Sequence, residues 1–287
     1  MNPNESHIVA SSEGGIARLT LHRPKALNAL SLAMIRDISK ALFAWRDDPA
    51  ITHVLLRGTK WNKTSEASEP FGAFCAGGDI RYFHEAVYSK PSDASYDEAL
   101  NRGSLEAFFT EEYTLNHLIH HYPKPVIAFM DGVVMGGGMG LTQGASTRIV
   151  TERTKMAMPE TAIGLFPDVG GGYFLSRCGE SAVGVGEYLA LTGQMLSGQE
   201  AVSMGLADVL IESQKLLAIW NDPRSFVPPA KNRQPIAHLD VMQKHFAHAT
   251  IQEIVQSLQS SDSDWAKDAL VKLQKNSPLM LAVTLEQ

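Results

Sequence analysis

Two acidic residues, Glu160 and Asp168, stand in an otherwise apolar and glycine-rich stretch, MPETAIGLFPDVGGGYF. Two carboxyl groups close together in a dry site do not both ionise easily, so one keeps a raised pKa. Such a pair can supply an acid and a base near neutral pH. Acidic residues after proline are also common in first helical turns and in loop turns. On these residues alone, both interpretations stay open.

Two glycine-rich segments, FCAGGDI and VMGGGMGL, each follow an apparent strand and precede a helix. Backbone N–H groups at such junctions have no intrahelical partner, and the helix dipole is positive there. Two loops of this kind that face one another can hold a carbonyl oxygen and stabilise an oxyanion. Alternatively, the glycines only permit tight turns and close helix packing. The two segments together, with the carboxylate segment downstream, favour a functional site.

Composition limits the classes of protein to which the chain can belong. The chain has 287 residues and a net charge of -6, which argues against a nucleic-acid binder that relies on a basic surface. The two cysteines, Cys75 and Cys178, form neither a disulfide framework nor a metal-ligand cluster, so we expect no metal site. The N-terminus does not resemble a secretory signal, and no apolar run is long enough for a bilayer. These features predict a cytoplasmic protein without a membrane partner.

The elements that must hold these residues alternate between strand and helix over the first two hundred or so residues, which predicts an α/β fold. Strands are predicted at Ile16–Leu21, 52–58, 124–132 and 147–152. Helices are predicted at 31–45, from residue 80, within the glycine run of 136–140, and at 104–121, 181–191 and 197–204. Residues 59–72 are predicted to be a surface loop. Helical patterns return from residue 239 to the end.

The change in pattern after residue 208 predicts a core of residues 1–208 and a C-terminal helical region of residues 209–287. The proline-rich stretch of residues 221–235 is predicted to be a linker or extended loop. The last segment begins with Ser277 and Pro278, a good helix start. The sequence ends within that amphipathic pattern, which suggests that the protein continues or that the chain is a fragment.

The motifs RPKALNAL, FCAGGDI, MGGGMGL and MPETAIGLFPDVGGGYF, in this order, resemble the crotonase superfamily of acyl-CoA enzymes. The resemblance covers nearly the whole chain and implies a spiral of ββα units with acyl-CoA bound between them. It also implies that the thioester oxygen accepts hydrogen bonds from the backbone N–H groups of Gly78 and Gly137. Further substrate contacts that the resemblance implies are Lys25, Ala26, Leu27, Ala76 and Asp79.

Within that superfamily, the pattern of acids separates hydratases from hydrolases. Enoyl-CoA hydratases carry one catalytic glutamate two residues after the triple glycine, where this chain has Gly140, and a second at the position of Glu160. Because hydration of a double bond needs both a base and an acid, the missing glutamate argues against hydratase activity. The chain instead resembles the 3-hydroxyisobutyryl-CoA hydrolase subfamily. There the same glutamate is lost, and the positions of Asp168 and of Glu112 in the EEY motif are acidic.

The resemblance to that subfamily implies hydrolysis of a short branched 3-hydroxyacyl-CoA in valine catabolism, with CoA as part of the substrate and no separate cofactor. Glu160 would act as nucleophile or as general base, and Glu112 would contact the hydroxyl end of the substrate. Terminal helices of the superfamily close the site or join subunits, so a homo-oligomer is possible. Two alternatives remain: an enoyl-CoA hydratase or isomerase, and a catalytically silent binding or assembly protein. Asp79 is alternatively a helix cap, and Glu112 alternatively lies on an exposed helix face.

Overall fold

The computed structural model describes residues 7–88, 98–228 and 233–287. Six strands form the central sheet, in the order β1-β2-β3-β6-β8-β11, and only the pair β1–β2 is antiparallel. A three-stranded sheet, β10-β9-β7, and a hairpin, β4–β5, complete the strand pairing of this part of the chain. The strands are β1 (Ile8–Glu13), β2 (Ile16–Leu21), β3 (His53–Gly58), β4 (Lys60–Asn62), β5 (Ala67–Glu69), β6 (Val126–Met130), β7 (Val133–Met135), β8 (Thr147–Val150), β9 (Lys155–Ala157), β10 (Leu196–Ser197) and β11 (Val209–Leu210).

The α-helices cover both faces of this central sheet. The helices are α1 (Leu32–Arg46), α2 (Ile80–Tyr88), α3 (Glu98–His120), α4 (Gly137–Gln143), α5 (Gly171–Leu175), α6 (Val185–Thr192), α7 (Gly198–Ser203), α8 (Leu216–Asn221), α9 (Leu239–Phe246), α10 (Ile251–Gln259), α11 (Asp264–Lys275) and α12 (Pro278–Glu286). None of the helices in the described ranges is both long and apolar enough to cross a membrane.

Strand β3 shows why both faces of the sheet are buried. Val54 and Leu56 point into the larger apolar cluster, whereas Leu55 points into a second cluster that contains Phe129 and Trp220. Successive side chains of a strand face opposite sides, and parallel strands are normally covered on both. The continuous apolar run of β3 is therefore explained by helices packing above and below it.

Local sequence signals account for most of the predicted elements. Helix α1 begins after Ser31, whose Oγ accepts a hydrogen bond from the Met34 N–H, and Ser277 caps α12 in the same way through the Met280 N–H. Helix α6 begins at Val185 rather than at residue 181, because Glu180 and Ser181 have φ of 59° and 63°. Such left-handed residues cannot continue a right-handed helix.

The surface loop predicted for residues 59–72 lies mostly at the surface, but it contains two strands that the prediction missed. Strands β4 and β5 pair there as an antiparallel hairpin, and the side chain of Asn62 accepts hydrogen bonds from the N–H groups of Thr64 and Ser65 in its turn. The side chain of Asn62 also donates to Glu69 across the hairpin at 2.6 Å. The predicted linker at 221–235 lies partly outside the described residues, because residues 229–232 are not described.

The C-terminal helices pack against the segment that carries Glu160. The N–H of Ser277 donates to the Thr161 carbonyl at 2.9 Å, and the buried side chain of Asn276 donates to the Thr161 hydroxyl at 3.0 Å. The start of α12 thereby holds the residue next to Glu160 in place. Strand β11 lies directly after residue 208, and the division of the chain at that residue stays a prediction.

Candidate active site

Short parallel bridges bring the two glycine segments together. Leu30 pairs with Gly78, and Cys75 pairs with Val134, which leads into the glycine run before α4. A Cβ atom added to Gly137 would lie 3.5 Å from the backbone nitrogen of Gly78, so the two segments are in close contact. Within the described residues, the N–H groups of Gly78 and Gly137 have no backbone acceptor. Two backbone donors without backbone acceptors thus lie on neighbouring segments, and their role as an oxyanion hole stays a prediction.

Three carboxyl groups line a small cavity next to these donors. Glu112 lies on α3, Glu160 is the first residue of the 3-10 helix Glu160–Ile163, and Asp168 lies in the turn before α5. The cavity has a volume of about 60 Å³ and is also lined by Ala76, Gly78, Gly137, Phe83, Phe109, Met135 and Leu165. Glu112 is 2% exposed and Glu160 is 6% exposed, so both carboxyl groups are nearly dry. Glu112 therefore does not lie on an exposed helix face.

Burial raises the pKa of all three acids, and repulsion from neighbouring carboxylates adds to the rise for Glu112 and Glu160. Burial raises the pKa of Glu160 to about 8, and the nearby charge of Asp168 contributes. The pKa of Glu112 also rises to about 8, first by burial and then by repulsion from Asp168 and Glu160. Burial raises the pKa of Asp168 as well, but the hydrogen bond from Tyr113 opposes that rise. The trio can therefore hold and exchange protons near neutral pH.

Several buried polar atoms around the cavity have no hydrogen-bond partner in the described structure. They are Glu112 Oε1, Glu160 Oε2 and both polar atoms of the Asn116 side chain. Leaving a buried polar group unpaired typically costs about 1–3 kcal/mol, so native proteins keep few of them. The two carboxyl oxygens belong to residues that line the cavity, which indicates a site shaped for a polar ligand, and the Asn116 side chain lies next to Gly140.

Two residues of α3 near the site, Tyr113 and Asn116, were not predicted from the sequence. The Tyr113 hydroxyl donates to Asp168 Oδ2 at 2.8 Å. Asn116 lies four residues after Glu112, and residues at this spacing share one face of a helix. That spacing could have identified Asn116, whereas the contact of Tyr113 with a residue 55 positions away left no local signal.

The space beside Gly140 is filled by other residues. A Cβ atom at this position would lie 2.6 Å from Val169 Cβ and about 3 Å from both polar atoms of the Asn116 side chain. Val169 follows Asp168 and has a φ of 46°, which is unfavourable for a β-branched residue. Gly140 therefore accommodates the strained turn that carries Asp168, and it leaves no room for a glutamate.

The predicted CoA-contact residues lie together at one edge of the site. Leu27 follows the 3-10 helix Pro24–Ala26, and its carbonyl accepts a hydrogen bond from the Ala76 N–H at 3.0 Å. The ammonium group of Lys25 lies 4.4 Å from the ring centroid of Trp61 on the β4–β5 hairpin. The loop with Lys25, Ala26 and Leu27 is thus adjacent to the first glycine segment, and its contact with CoA stays a prediction.

Asp79 caps helix α2, as one of the two interpretations of the sequence predicts. Its Oδ1 accepts hydrogen bonds from the N–H groups of Arg81 and Tyr82. Its Oδ2 is ion-paired with Arg23 at 2.6 Å. Both carboxylate oxygens therefore have protein partners, and a direct contact with substrate stays a prediction.

The sequence profile of the enoyl-CoA hydratase/isomerase family matches residues 16–287. The chain belongs to this family. Mitochondrial 3-hydroxyisobutyryl-CoA hydrolase of Homo sapiens is 36% identical over 300 residues, which cover 98% of this chain and 72% of the relative. The protein with the same name from Danio rerio is 38% identical over 304 residues, which cover 98% of this chain and 73% of the relative. The predicted relationship to the crotonase superfamily and to hydrolases of this name is confirmed.

Solved structures of the family confirm the predicted crotonase fold. A carnitinyl-CoA dehydratase from Mycobacterium thermoresistibile matches with a TM-score of 0.82 and 35% identity, over 98% of this chain and 78% of that one. An enoyl-CoA hydratase from Rhodobacter sphaeroides 2.4.1 matches with a TM-score of 0.81 and 35% identity, over the same shares of the two chains. The curated hydrolases are mitochondrial by name, whereas the cytoplasmic location of this family member stays a prediction.

The buried acids of this family member predict an unusual dependence of stability on pH. The folded pKa of Glu112, about 8, exceeds its ordinary value of 4.5, so the folded state binds more protons between these values. The free energy of unfolding should therefore fall as pH rises from 4.5 to about 8. Below pH 4.5, Glu112 should add no pH dependence, because it is protonated in both states. Glu112→Gln stays neutral, so its melting temperature relative to wild type should increase by several degrees between pH 5 and pH 8.5.

Thermal unfolding of both proteins at the two pH values checks this expectation, with Glu111→Gln as the matched control. The pKa of Glu111 is lowered by its hydrogen bond to Arg36, and this side chain is largely solvated. Its replacement should give no relative gain as pH rises. An equal pH dependence of wild type and Glu112→Gln would show that Glu112 is not protonated in the folded state.

Proposed function

We propose that the chain hydrolyses the thioester of a short 3-hydroxyacyl-CoA, with 3-hydroxyisobutyryl-CoA as the main substrate and 3-hydroxyisobutyrate and CoA as the products. The observation that carries the proposal is the arrangement of Glu160 and Asp168 beside two unpaired backbone N–H groups, with no room for an acid at Gly140. The names of curated relatives at 36% and 38% identity agree with this choice of reaction.

In the proposed mechanism, the thioester carbonyl oxygen accepts hydrogen bonds from the N–H groups of Gly78 and Gly137. Charge develops on this oxygen when the acyl carbon is attacked, and a preorganised donor of this kind typically lowers the barrier by about 2.7–4 kcal/mol. Glycine at these positions lets the substrate approach the backbone closely. At Gly137 a side chain would also overlap the carboxyl group of Glu112. Support comes from the absence of backbone acceptors for both donors in the described structure.

Glu160 is the residue proposed to drive the attack. As general base it takes a proton from water, whose hydroxide adds to the acyl carbon. As nucleophile it forms a mixed anhydride that water then cleaves. In both routes the carbon–sulfur bond breaks and the acyl carbon ends bonded to the water oxygen. In the general-base route, Glu160 passes the proton that it took from water to the CoA sulfur. In the nucleophilic route, the sulfur takes its proton from a neighbouring carboxylic acid of the site, and water restores that proton when it cleaves the anhydride. Glu160 Oε2 is buried without a partner, which suits either role.

Asp168 and Glu112 are proposed to complete the site. Asp168 orients the water or the substrate hydroxyl and, as a carboxylate, takes up a proton during the reaction and passes it to the leaving sulfur. Glu112, whose Oε1 has no partner in the described structure, is placed to contact the 3-hydroxyl group. Because the pKa of Glu112 lies at about 8, this side chain is mostly protonated at neutral pH and can donate to that hydroxyl.

Hydration of an enoyl-CoA is the second candidate, and the names of the two solved relatives favour it. One acid, Glu160, occupies a hydratase position, but the second position is Gly140, whose surroundings are filled by Val169 and Asn116. A hydratase in this chain would have to recruit its second acid from Asp168 or Glu112. A catalytically silent protein is the third candidate, although it leaves the cost of the two buried carboxyl groups, Glu112 and Glu160, without a purpose.

A panel of acyl-CoA substrates separates the three candidates. We expect release of free thiol from 3-hydroxyisobutyryl-CoA, with at least about tenfold lower kcat/KM for the analogue that lacks the hydroxyl, because a site built to pair a hydroxyl discriminates against its loss. Thiol release and loss of enoyl absorbance are followed in parallel. Enoyl hydration without thiol release contradicts the proposal, and CoA binding without any turnover indicates a binding protein.

A further inference from the structure

Tyr113 lies next to the cavity residue Asp168 on a partly exposed face, and its hydroxyl forms one side-chain hydrogen bond. Its hydroxyl donates to Asp168 Oδ2 at 2.8 Å, and its ring packs beside Phe109 with ring centroids 6.0 Å apart. The tyrosine is 40% exposed, so it contributes little to the apolar core. Among the described residues, it is the one side chain that donates a hydrogen bond to Asp168.

The charges around Asp168 make that hydrogen bond important. Glu112 faces Asp168 from α3, and Glu160 faces it from its 3-10 helix, so both ionisable neighbours are acids. No lysine or arginine in the described ranges forms an ion pair with Asp168. A hydroxyl that donates to a carboxylate favours its charged form, and such charge-assisted bonds are roughly twice as strong as neutral ones. The Tyr113 hydroxyl is thus the largest local contribution that favours ionisation of Asp168, and a backbone hydrogen bond adds to it.

Among the described residues, no side chain donates a hydrogen bond to Glu112 or Glu160, and a backbone hydrogen bond is the feature that lowers the pKa of Glu160. Glu112 Oε1 and Glu160 Oε2 are buried, and neither has a hydrogen-bond partner in the described part of the chain. When three carboxyl groups share a site, the first proton leaves the group whose charged form is best solvated by the protein. Tyr113 makes Asp168 that group, and it also fixes which carboxylate oxygen remains turned toward the cavity.

We propose that Tyr113 is a positioning residue, whose hydroxyl orients Asp168 and makes it the first of the three carboxyl groups to ionise. The inference rests on the proposed hydrolase function for its consequence in catalysis. In that reaction, Tyr113 touches no reacting atom and acts only through Asp168. It thereby sets the charge that the site carries before Glu160 loses its proton.

The test compares Tyr113→Phe with Tyr173→Phe, a tyrosine that is 55% exposed and packs beside Arg177 outside the carboxyl trio. Infrared difference titration against Asp168→Asn reports ionisation of Asp168 without any turnover. We expect ionisation in Tyr113→Phe to move up by about one pH unit or more, since a hydrogen bond to a charged group contributes that much or more. Tyr173→Phe should titrate like wild type.

The pH profile of kcat/KM gives the second readout. Tyr113→Phe should lose about tenfold at the acidic limb, as a one-unit shift requires, and should recover the wild-type value at higher pH. An unchanged infrared titration overturns the inference, and so does an equal loss of activity at every pH. If wild type cleaves no thioester at all, the proposed function fails, whereas the infrared titration still decides the role of Tyr113.

Discussion

Glu160→Gln is expected to lower kcat for thioester cleavage by a factor of roughly 10²–10⁴, with KM changed little. Glutamine has the shape of glutamate, so it should fit the buried position at the start of the 3-10 helix Glu160–Ile163. It can neither take a proton from water nor attack the acyl carbon. The substrate contacts from the glycine segments and from the loop around Lys25 remain, and therefore binding should persist.

The measurement is steady-state thiol release from 3-hydroxyisobutyryl-CoA, together with the affinity for free CoA. Glu111→Gln serves as the control, because this half-buried acid is bonded to Arg36 and lies next to Glu112 in sequence without lining the cavity. A kcat for Glu160→Gln within a few-fold of wild type would remove Glu160 from the mechanism. Loss of CoA affinity together with activity would point to misfolding instead.

The rate of thioester cleavage by the wild-type protein should depend on pH, because only the ionised form of Glu160 is active. Because the pKa of this group lies at about 8 in the free protein, kcat/KM should increase as pH rises from 6 through 8 and level off about one pH unit above 8. Hydroxylamine distinguishes the two roles of Glu160. A mixed anhydride should yield a hydroxamate on Glu160, detectable by peptide mass spectrometry, whereas a general base should remain unmodified.

Parts of this site could be predicted because short sequence motifs indicate them. Glycine before a helix marks a close approach of backbone, and an acid after proline marks a turn or a first helical turn. Glu160 begins a 3-10 helix and Asp168 lies in a turn, and both residues line the cavity, so a structural position is compatible with the predicted catalytic role. The two interpretations of the sequence were therefore not exclusive.

Other parts depend on contacts between distant segments, which one sequence does not encode locally. The bond from Tyr113 to Asp168 and the contacts of Asn276 and Ser277 with Thr161 are of this kind. Strands β4 and β5 were missed for a different reason. Their side chains are mostly exposed or half-buried, so the alternation of apolar and polar residues that marks a half-buried strand is absent.

The second prediction concerns Gly140 and depends on both the sequence and the structure. The sequence shows only that a hydratase glutamate is missing. The structure adds that Val169 and Asn116 occupy its space, and that Val169 is held in a left-handed conformation. Such a conformation typically costs about 1–3 kcal/mol in a residue other than glycine, and it persists only when its surroundings hold it. The turn that carries Asp168 thus depends on the absence of a side chain at Gly140.

Gly140→Glu is therefore expected to create no hydratase and to lower thioester cleavage by a factor of roughly 10² or more, because displacement of a catalytic group by about 1 Å has an effect of this size. The new side chain must push Val169 aside, since even its Cβ would lie 2.6 Å from Val169 Cβ. Asp168 then moves with its neighbour. Enoyl hydration and thiol release, followed together, check both parts of the expectation.

A pair of smaller changes keeps the prediction testable if Gly140→Glu does not fold. Gly140→Ala should destabilise the protein and lower kcat, whereas Val169→Gly removes the Cβ that would collide and suits a φ of 46°. In the Val169→Gly background, Gly140→Ala should cost less in both melting temperature and kcat, because residues in contact are energetically coupled. Additive effects of the two changes would separate Gly140 from the Asp168 turn. Enoyl hydration gained by Gly140→Glu would show that the hydratase position is still open, and the hydrolase proposal would then lose its main structural support.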